Sequence, residues 1–292
     1  MLFIANWKMN LTKKETLELT KEIVKKITFY DKRKIDIVLC PSFTTLSDVQ
    51  KFLSKKLQAS DDIMSESRSR RFSRLSDKSS ELKRRDTSYK LSLGAQDVFW
   101  EENGAFTGEI SASMLKETGC QYVIIGHSDR RKHLKETDEM INKKVLMALK
   151  AGLKVILCVG ENLLIHNRGK KAIKKFIKNQ IEKNLKNLVQ NSIHQPANKI
   201  KNLIIVYEPI WAISSNKNSI FCYPQDALEI IKFIKQILNS KFHILHSCVL
   251  YGGSVDRTNI KSITDQPTID GVLVGGASLK IDEVMGMIKK IN

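Results

Sequence analysis

The sequence predicts an α/β protein built as a closed (β/α)8 barrel, and three observations carry that prediction. Short apolar runs alternate with helix-period patterns along most of the chain. Several runs are rich in Ile and Val and apolar at consecutive positions, as parallel strands buried on both faces should be. Eight such runs can be counted, the number that closes a parallel sheet into a side-chain-filled barrel. An open doubly wound sheet shares the alternation, but no G-x-G-x-x-G follows an early run.

In chain order, Leu2–Ala5 is the first strand candidate, and Thr12–Thr28 follows with helical periodicity. Ile35–Leu39 is the second and Leu91–Ala95 the third, with a helical pattern at Ser113–Thr118. Tyr122–Ile125 is the fourth, followed by Thr137–Ala151, and Val155–Val159 the fifth. Then Ile173, Phe176, Ile177, Ile181, Leu185 and Leu188 recur at helical spacing with lysines between them, predicting an amphipathic helix over 170–189. Leu203–Tyr207, Cys248–Tyr251 and Gly271–Val274 complete the strands, with Pro224–Leu238 helical after the sixth.

One stretch breaks the rhythm. Ser60–Lys90 holds nine Ser, nine basic and six acidic residues and few apolar ones. Such a composition buries too little apolar surface to order itself, so a polar, largely disordered insertion is expected between the second helix and the third strand. It should leave on the face opposite the strands' C-terminal ends. The organisation expected is one barrel domain over 1–292 carrying this insertion at 60–90.

Composition removes several classes. A chain of 292 residues needs no disulfide framework, and its five cysteines are scattered and odd in number. They read as reduced thiols, and no ligand spacing suggests a metal. No apolar run approaches the ~18 residues of a membrane span. The chain opens directly on Leu2-Phe3-Ile4-Ala5, which gives no signal or transit pattern and points to the cytoplasm, or to a plastid stroma after processing. The net charge is +18, and 167–202 alone holds ten Lys or Arg against one acid, Glu182. Without a readout motif this basic face reads as a solvated surface rather than a nucleic-acid or membrane site.

Polar residues gather after the strands. Asn6 and Lys8 follow the first, Gln96 the third and His127 the fourth. Glu161 follows the fifth and Glu208 the sixth; Gly252-Gly253-Ser254 and Gly275-Gly276 follow the last two. In a parallel barrel all of these converge on one mouth, where such barrels carry their sites. The glycine pairs can offer backbone N–H groups to an anion, and Lys8 adds a cation. Glu208 can accept a proton from carbon. His127 starts a helical stretch, whose positive end disfavours imidazolium, so a neutral ring can polarise a carbonyl. Together they suggest proton abstraction beside a carbonyl in a small phosphorylated compound.

The segments Asn6-Trp7-Lys8-Met9-Asn10, Gly126-His127-Ser128-Asp129-Arg130-Arg131, Tyr207-Glu208-Pro209-Ile210-Trp211-Ala212-Ile213, Tyr251-Gly252-Gly253-Ser254 and Gly271 to Leu279 resemble the triosephosphate isomerase family, in order and at the right strand ends. The resemblance spans nearly the whole chain outside the insertion. It implies a TIM barrel that interconverts dihydroxyacetone phosphate and D-glyceraldehyde 3-phosphate through an enediolate. It implies Glu208 as the base, His127 as the electrophile and Lys8 as the cation on the substrate, with Asn6 adding a hydrogen bond. Ser254, Gly275, Gly276 and a backbone N–H near Ser214 would hold the phosphate, while Asp129, Glu161 and Gln96 support the site. No metal or organic cofactor is implied. Thr107, in Gly104-Ala105-Phe106-Thr107-Gly108-Glu109, matches a loop that reaches a neighbouring subunit, so a homodimer is expected.

The chain departs from the family pattern twice. Asp129 stands where the family has Glu, one methylene shorter, and a displacement of about 1 Å there can cost on the order of 10²-fold in rate. Ser214-Ser215-Asn216 replaces the lid's Gly-Thr-Gly, and the path to Pro224 is longer. Loss of two glycines restricts positive φ and should make lid closure less favourable. A catalytically impaired barrel serving as a binding or scaffold protein is the alternative these departures raise.

Overall fold

Eight parallel strands close on one another in sequence order, β1 through β8 and back to β1. The computed structural model describes residues 1–27, 35–55, 89–188, 202–214, 216 and 219–291. The strands are β1 (Leu2–Asn6), β2 (Ile35–Cys40), β3 (Tyr89–Ala95), β4 (Tyr122–Ile125), β5 (Lys154–Val159), β6 (Leu203–Tyr207), β7 (Cys248–Tyr251) and β8 (Gly271–Val274). Outside them lie α1 (Lys13–Ile27), a helix over 46–55 (α2), α3 (Ala112–Glu117), α4 (Ser128–His133) and α5 (Asp138–Lys150). They continue with α6 (Leu163–His166), α7 (Lys170–Asn184), α8 (Pro224–Phe242), α9 (Ile260–Thr264) and α10 (Ile281–Lys290).

Strand side chains alternate between two apolar layers, as the period of two requires. Leu2, Ile4, Val38, Cys40, Tyr122, Ile124, Ile156, Cys158, Ile204, Val206, Leu250 and Leu273 form one cluster drawn from strands alone, which is the barrel interior. Phe3, Ala5, Ile37, Leu39, Val123, Ile125, Val155 and Leu157 point the other way, into a larger cluster shared with the helices. Burial on both faces is the reason these runs are apolar without interruption.

The seam where β8 meets β1 pairs Leu2 with Gly271 and Ala5 with Val274. A Cβ at Gly271 would lie 1.9 Å from the Leu2 carbonyl oxygen, so only glycine permits that approach. Gly160, just past β5, is equally constrained: its Cβ would fall 1.8 Å from the Glu208 carbonyl oxygen.

Two boundaries differ from expectation. Tyr89 and Lys90 are the first residues of β3, paired with Ile35 and Asp36, and do not belong to the polar insertion. Backbone pairing recruits them regardless of side-chain polarity. The rest of the insertion, 56–88, lies outside the described residues. The basic helix stops at Asn184. The Asn142 amide donates to the Asn184 and Lys186 carbonyls, both at 2.9 Å, and captures acceptors that a longer helix would use. Leu185 and Leu188 remain buried in the turn that follows. Cys40, Cys120, Cys158 and Cys222 are buried free thiols, and burial pushes Cys120 and Cys222 up to about 12.

A buried ionic cluster joins the loop after β3 to α4 and α5. Lys144 is 2% exposed and donates to both Asp97 oxygens, at 2.9 and 2.7 Å, and to Glu136. Arg130 completes it, 2.8 Å from Asp97 and 2.7 Å from Glu136. Removing one ion from such a cluster strands the others in a poor solvent. Lys144→Met should therefore lower unfolding free energy by about 3–5 kcal/mol, read as a reduced urea midpoint at unchanged m-value.

Candidate active site

Each strand delivers its polar residues at its C-terminal end. Asn6, the last residue of β1, accepts the Lys8 backbone N–H on Oδ1 at 3.0 Å. Lys8 has a φ of 52°, a left-handed conformation that side chains other than Gly and Asn rarely adopt. It is held there from a distance: the Gln96 amide donates to the Lys8 carbonyl at 2.8 Å and to the Cys40 carbonyl at 2.9 Å. Three strands thus cooperate to aim one ammonium, and local strain of this kind persists only where surroundings over-determine it.

The Lys8 Nζ lies 3.0 Å from Asp129 Oδ2. The shorter side chain therefore reaches the cation directly. Burial pushes the Asp129 carboxyl up, but the charges around it, the Lys8 ammonium among them, outweigh it and hold it below its ordinary value.

His127 is the N-cap of α4, and its Nδ1 accepts the Asp129 backbone N–H at 3.1 Å. A ring nitrogen that accepts carries no proton, which assigns the ring proton to Nε2. Nε2 faces Glu208 Oε1 at 3.0 Å. The Glu208 carboxylate is buried and also takes the Ser128 N–H on Oε2 and the Ser128 hydroxyl on Oε1, each at 3.0 Å. Base and electrophile candidates are therefore in contact across the mouth, one as acceptor and the other as donor. Ser128 was not expected as a site residue. A serine beside a histidine carries no signal of its own, and its partner is 80 residues away.

The Glu161 carboxylate is fully buried and accepts the Trp211 indole N–H at 2.7 Å and the Tyr207 hydroxyl at 3.1 Å on one oxygen. Burial pushes it up against these donors. It is a support behind the mouth rather than a group within it.

The glycine candidates close the ring. A Cβ at Gly275 would lie 3.5 Å from Lys8 Cε, which puts this backbone beside the ammonium. Gly276 opens a short 3-10 turn to Leu279, and a Cβ there would meet open space. Ser254 is engaged elsewhere: its N–H and hydroxyl both donate to the Ala212 carbonyl, at 3.1 and 2.6 Å. The side chain expected to hold phosphate thus ties the lid's first residues to the loop after β7. Ser214 is exposed. Ser215 lies outside the described residues. Thr107 sits in an exposed stretch, 101–109. Among the described residues no group of three His, Cys, Asp or Glu side chains could hold a metal, and no helix is long and apolar enough to cross a membrane.

A closed parallel barrel with a carboxylate, an imidazole and an ammonium at its C-terminal mouth defines the class: a (β/α)8 enzyme with an acid–base site. A profile of the family described as "Triosephosphate isomerase" matches residues 1–69 and 71–291. The triosephosphate isomerase of Alkaliphilus metalliredigens is 39% identical, with 98% of each chain covered. That of Alkaliphilus oremlandii is 37% identical, again with 98% of each covered. The crystal structure of triosephosphate isomerase from Bartonella henselae superimposes with a TM-score of 0.73 at 28% identity, covering 99% of this chain and 98% of that one. This chain belongs to the triosephosphate isomerase family, and its activity is the interconversion of dihydroxyacetone phosphate and D-glyceraldehyde 3-phosphate.

The Lys8–Asp129 contact generates a prediction. Asp129→Ala should lower kcat/KM by on the order of 10- to 10²-fold by letting the ammonium drift. Asp129→Glu should stay close to the native value. Steady-state kinetics in both directions, beside an unchanged melting temperature, would check this.

Proposed function

We propose that Glu208 is the base of this isomerisation and His127 its electrophile. The observation that carries the reading is the 3.0 Å contact between Glu208 Oε1 and His127 Nε2 in a buried mouth beside Lys8. A carboxylate and an N–H donor so close can serve adjacent atoms of one small substrate. Glu208 takes a proton from C1 of dihydroxyacetone phosphate; the C–H bonding pair forms the C1–C2 double bond, and the carbonyl pair moves to the C2 oxygen. His127 Nε2–H stabilises that oxygen as the enediolate forms. The proton on the C1 oxygen passes to the C2 oxygen, and return of the first proton to C2 then leaves the aldehyde at C1. To act, the Glu208 carboxylate must leave the Ser128 hydroxyl and the imidazole.

Lys8 and Asn6 hold the polar end of the substrate, with Asp129 and Gln96 holding Lys8 in turn. The N–H groups around Gly275 and Gly276 take the phosphate, joined by Ser254 and a backbone N–H near Ser214. The nearness of Gly275 to Lys8 supports this division, since one cation then serves both ends of a compact substrate. Glu208→Gln should keep the fold and reduce kcat by roughly 10²–10⁴-fold. Exchange of substrate hydrogen with deuterated water should fall in parallel, and exchange at the native rate in the variant would exclude Glu208 as the base.

The working unit we propose is a homodimer joined through the loop that carries Thr107. The support is its exposure: 101–109 is exposed throughout, Phe106 included, while Phe106 still packs on Phe99 with ring centroids 4.8 Å apart. An apolar side chain on a glycine-flanked loop is suited to a pocket in a second copy. Light scattering at micromolar concentration should give twice the chain mass, and Phe106→Asp should give a monomer with much reduced activity.

A further inference from the structure

Among the described residues, two buried polar atoms near the start of the lid have no hydrogen-bond partner: Oε2 of Glu161 and Nδ1 of His166. They belong to adjacent side chains. His166 Nδ1 is 3.8 Å from the other oxygen of that carboxylate, the one already taken by Tyr207 and Trp211. The His166 ring also lies on the Trp211 indole, with centroids 3.8 Å apart and planes at 33°. Trp211 is the fixed root of the lid. Its carbonyl accepts the Ile220 N–H at 3.0 Å, and the next carbonyl, of Ala212, holds Ser254. One indole is thus gripped at its edge by Glu161, on its face by His166 and through its backbone by Ile220.

An imidazole lone pair facing a carboxylate is repulsive, whereas a proton on that nitrogen makes an ion pair and a hydrogen bond. Among the described residues, Glu161 has two neutral donors and no cation bound to it. The other groups near this corner are already committed or titrate elsewhere. On α7, which packs on α6, Lys170 and Lys174 are bound to Glu229 of α8. Arg168 lies in the turn between α6 and α7. On the β6 side, burial raises the Tyr207 phenol well above its ordinary value, and it raises the Cys222 thiol to about 12.

We propose that His166 is a positioning residue for the isomerase reaction, its proton setting how firmly Trp211 is held at the root of the lid. The inference rests on the active-site reading given above. Protonated, His166 bonds to Glu161 and lies over the indole as a cation on an aromatic face, and Trp211 is fixed. Neutral, it leaves the carboxylate, and the root moves more freely. Lid motion commonly limits turnover, so kcat follows this proton more than KM does.

The test follows the intact protein from about pH 5.5 to about pH 8. A protonated imidazole in ring contact quenches indole emission. Emission should rise with pH in the native protein, and the step should vanish in His166→Gln and in Trp211→Phe, which excludes Trp7 and Trp100 as its source. Glu161→Gln should move its midpoint to lower pH. In parallel, kcat of His166→Arg, permanently cationic and able to stack, should be several-fold below native at the higher pH. His166→Gln should match native there and exceed it at the lower pH. Flat native emission, or the same step in His166→Gln, would overturn the clamp. Parallel kcat profiles in all three proteins would overturn its positioning role. Emission judges the clamp even if turnover proves immeasurable, so failure of the active-site reading would be seen separately.

Discussion

The β1–β8 seam is the contact on which the remaining geometry rests. Its hydrogen bonds turn an open sheet into a ring, and Gly271 lets the two backbones meet. Residues from opposite ends of the chain then become neighbours, Lys8 beside Gly275 among them. A parallel ring also points every strand the same way. The loops after the strands therefore share one mouth, and the polar residues they carry cannot avoid one another. Without the seam, the mouth would lose the side that brings the ammonium next to Gly275.

Burying carboxylates in and behind that mouth sets the second constraint. Glu208 and Glu161 are both essentially inaccessible, and an ionised carboxylate without donors is very costly in such surroundings. The chain meets this with neutral donors. Glu208 has Ser128 and His127; Glu161 has Tyr207 and Trp211. Neutral donors stabilise a carboxylate's charge without neutralising it. The permanent cation is kept one residue pair away, on Asp129. This separation lets an ammonium and a free carboxylate coexist at one small site.

The strongly basic surface belongs to a different layer of the molecule. On α7, Lys170 and Lys174 reach Glu229, and Glu182 is shared by Lys178 and Lys241. Exposed pairs of this kind contribute little stability and are screened by salt. Their effect is on solubility and on long-range attraction of an anionic substrate, which a net charge of +18 favours.

The barrel was legible because its physics is local and repetitive. Runs such as Leu203–Tyr207 and Gly271–Val274 are apolar from end to end, for each position faces either the interior or the helices. The strand-end polar residues were legible for the same reason, since a parallel ring leaves them only one place to go. Other features needed the folded chain. Tyr89 and Lys90 join β3 through backbone pairing, which side-chain patterning does not record. The end of α7 depends on an asparagine 42 residues earlier. Ser128 on Glu208, Asp129 on Lys8 and His166 against Trp211 all join residues far apart in the chain. Hydrophobic period declares which face a side chain takes, but hydrogen bonds between loops depend on distances that exist only after the ring has closed.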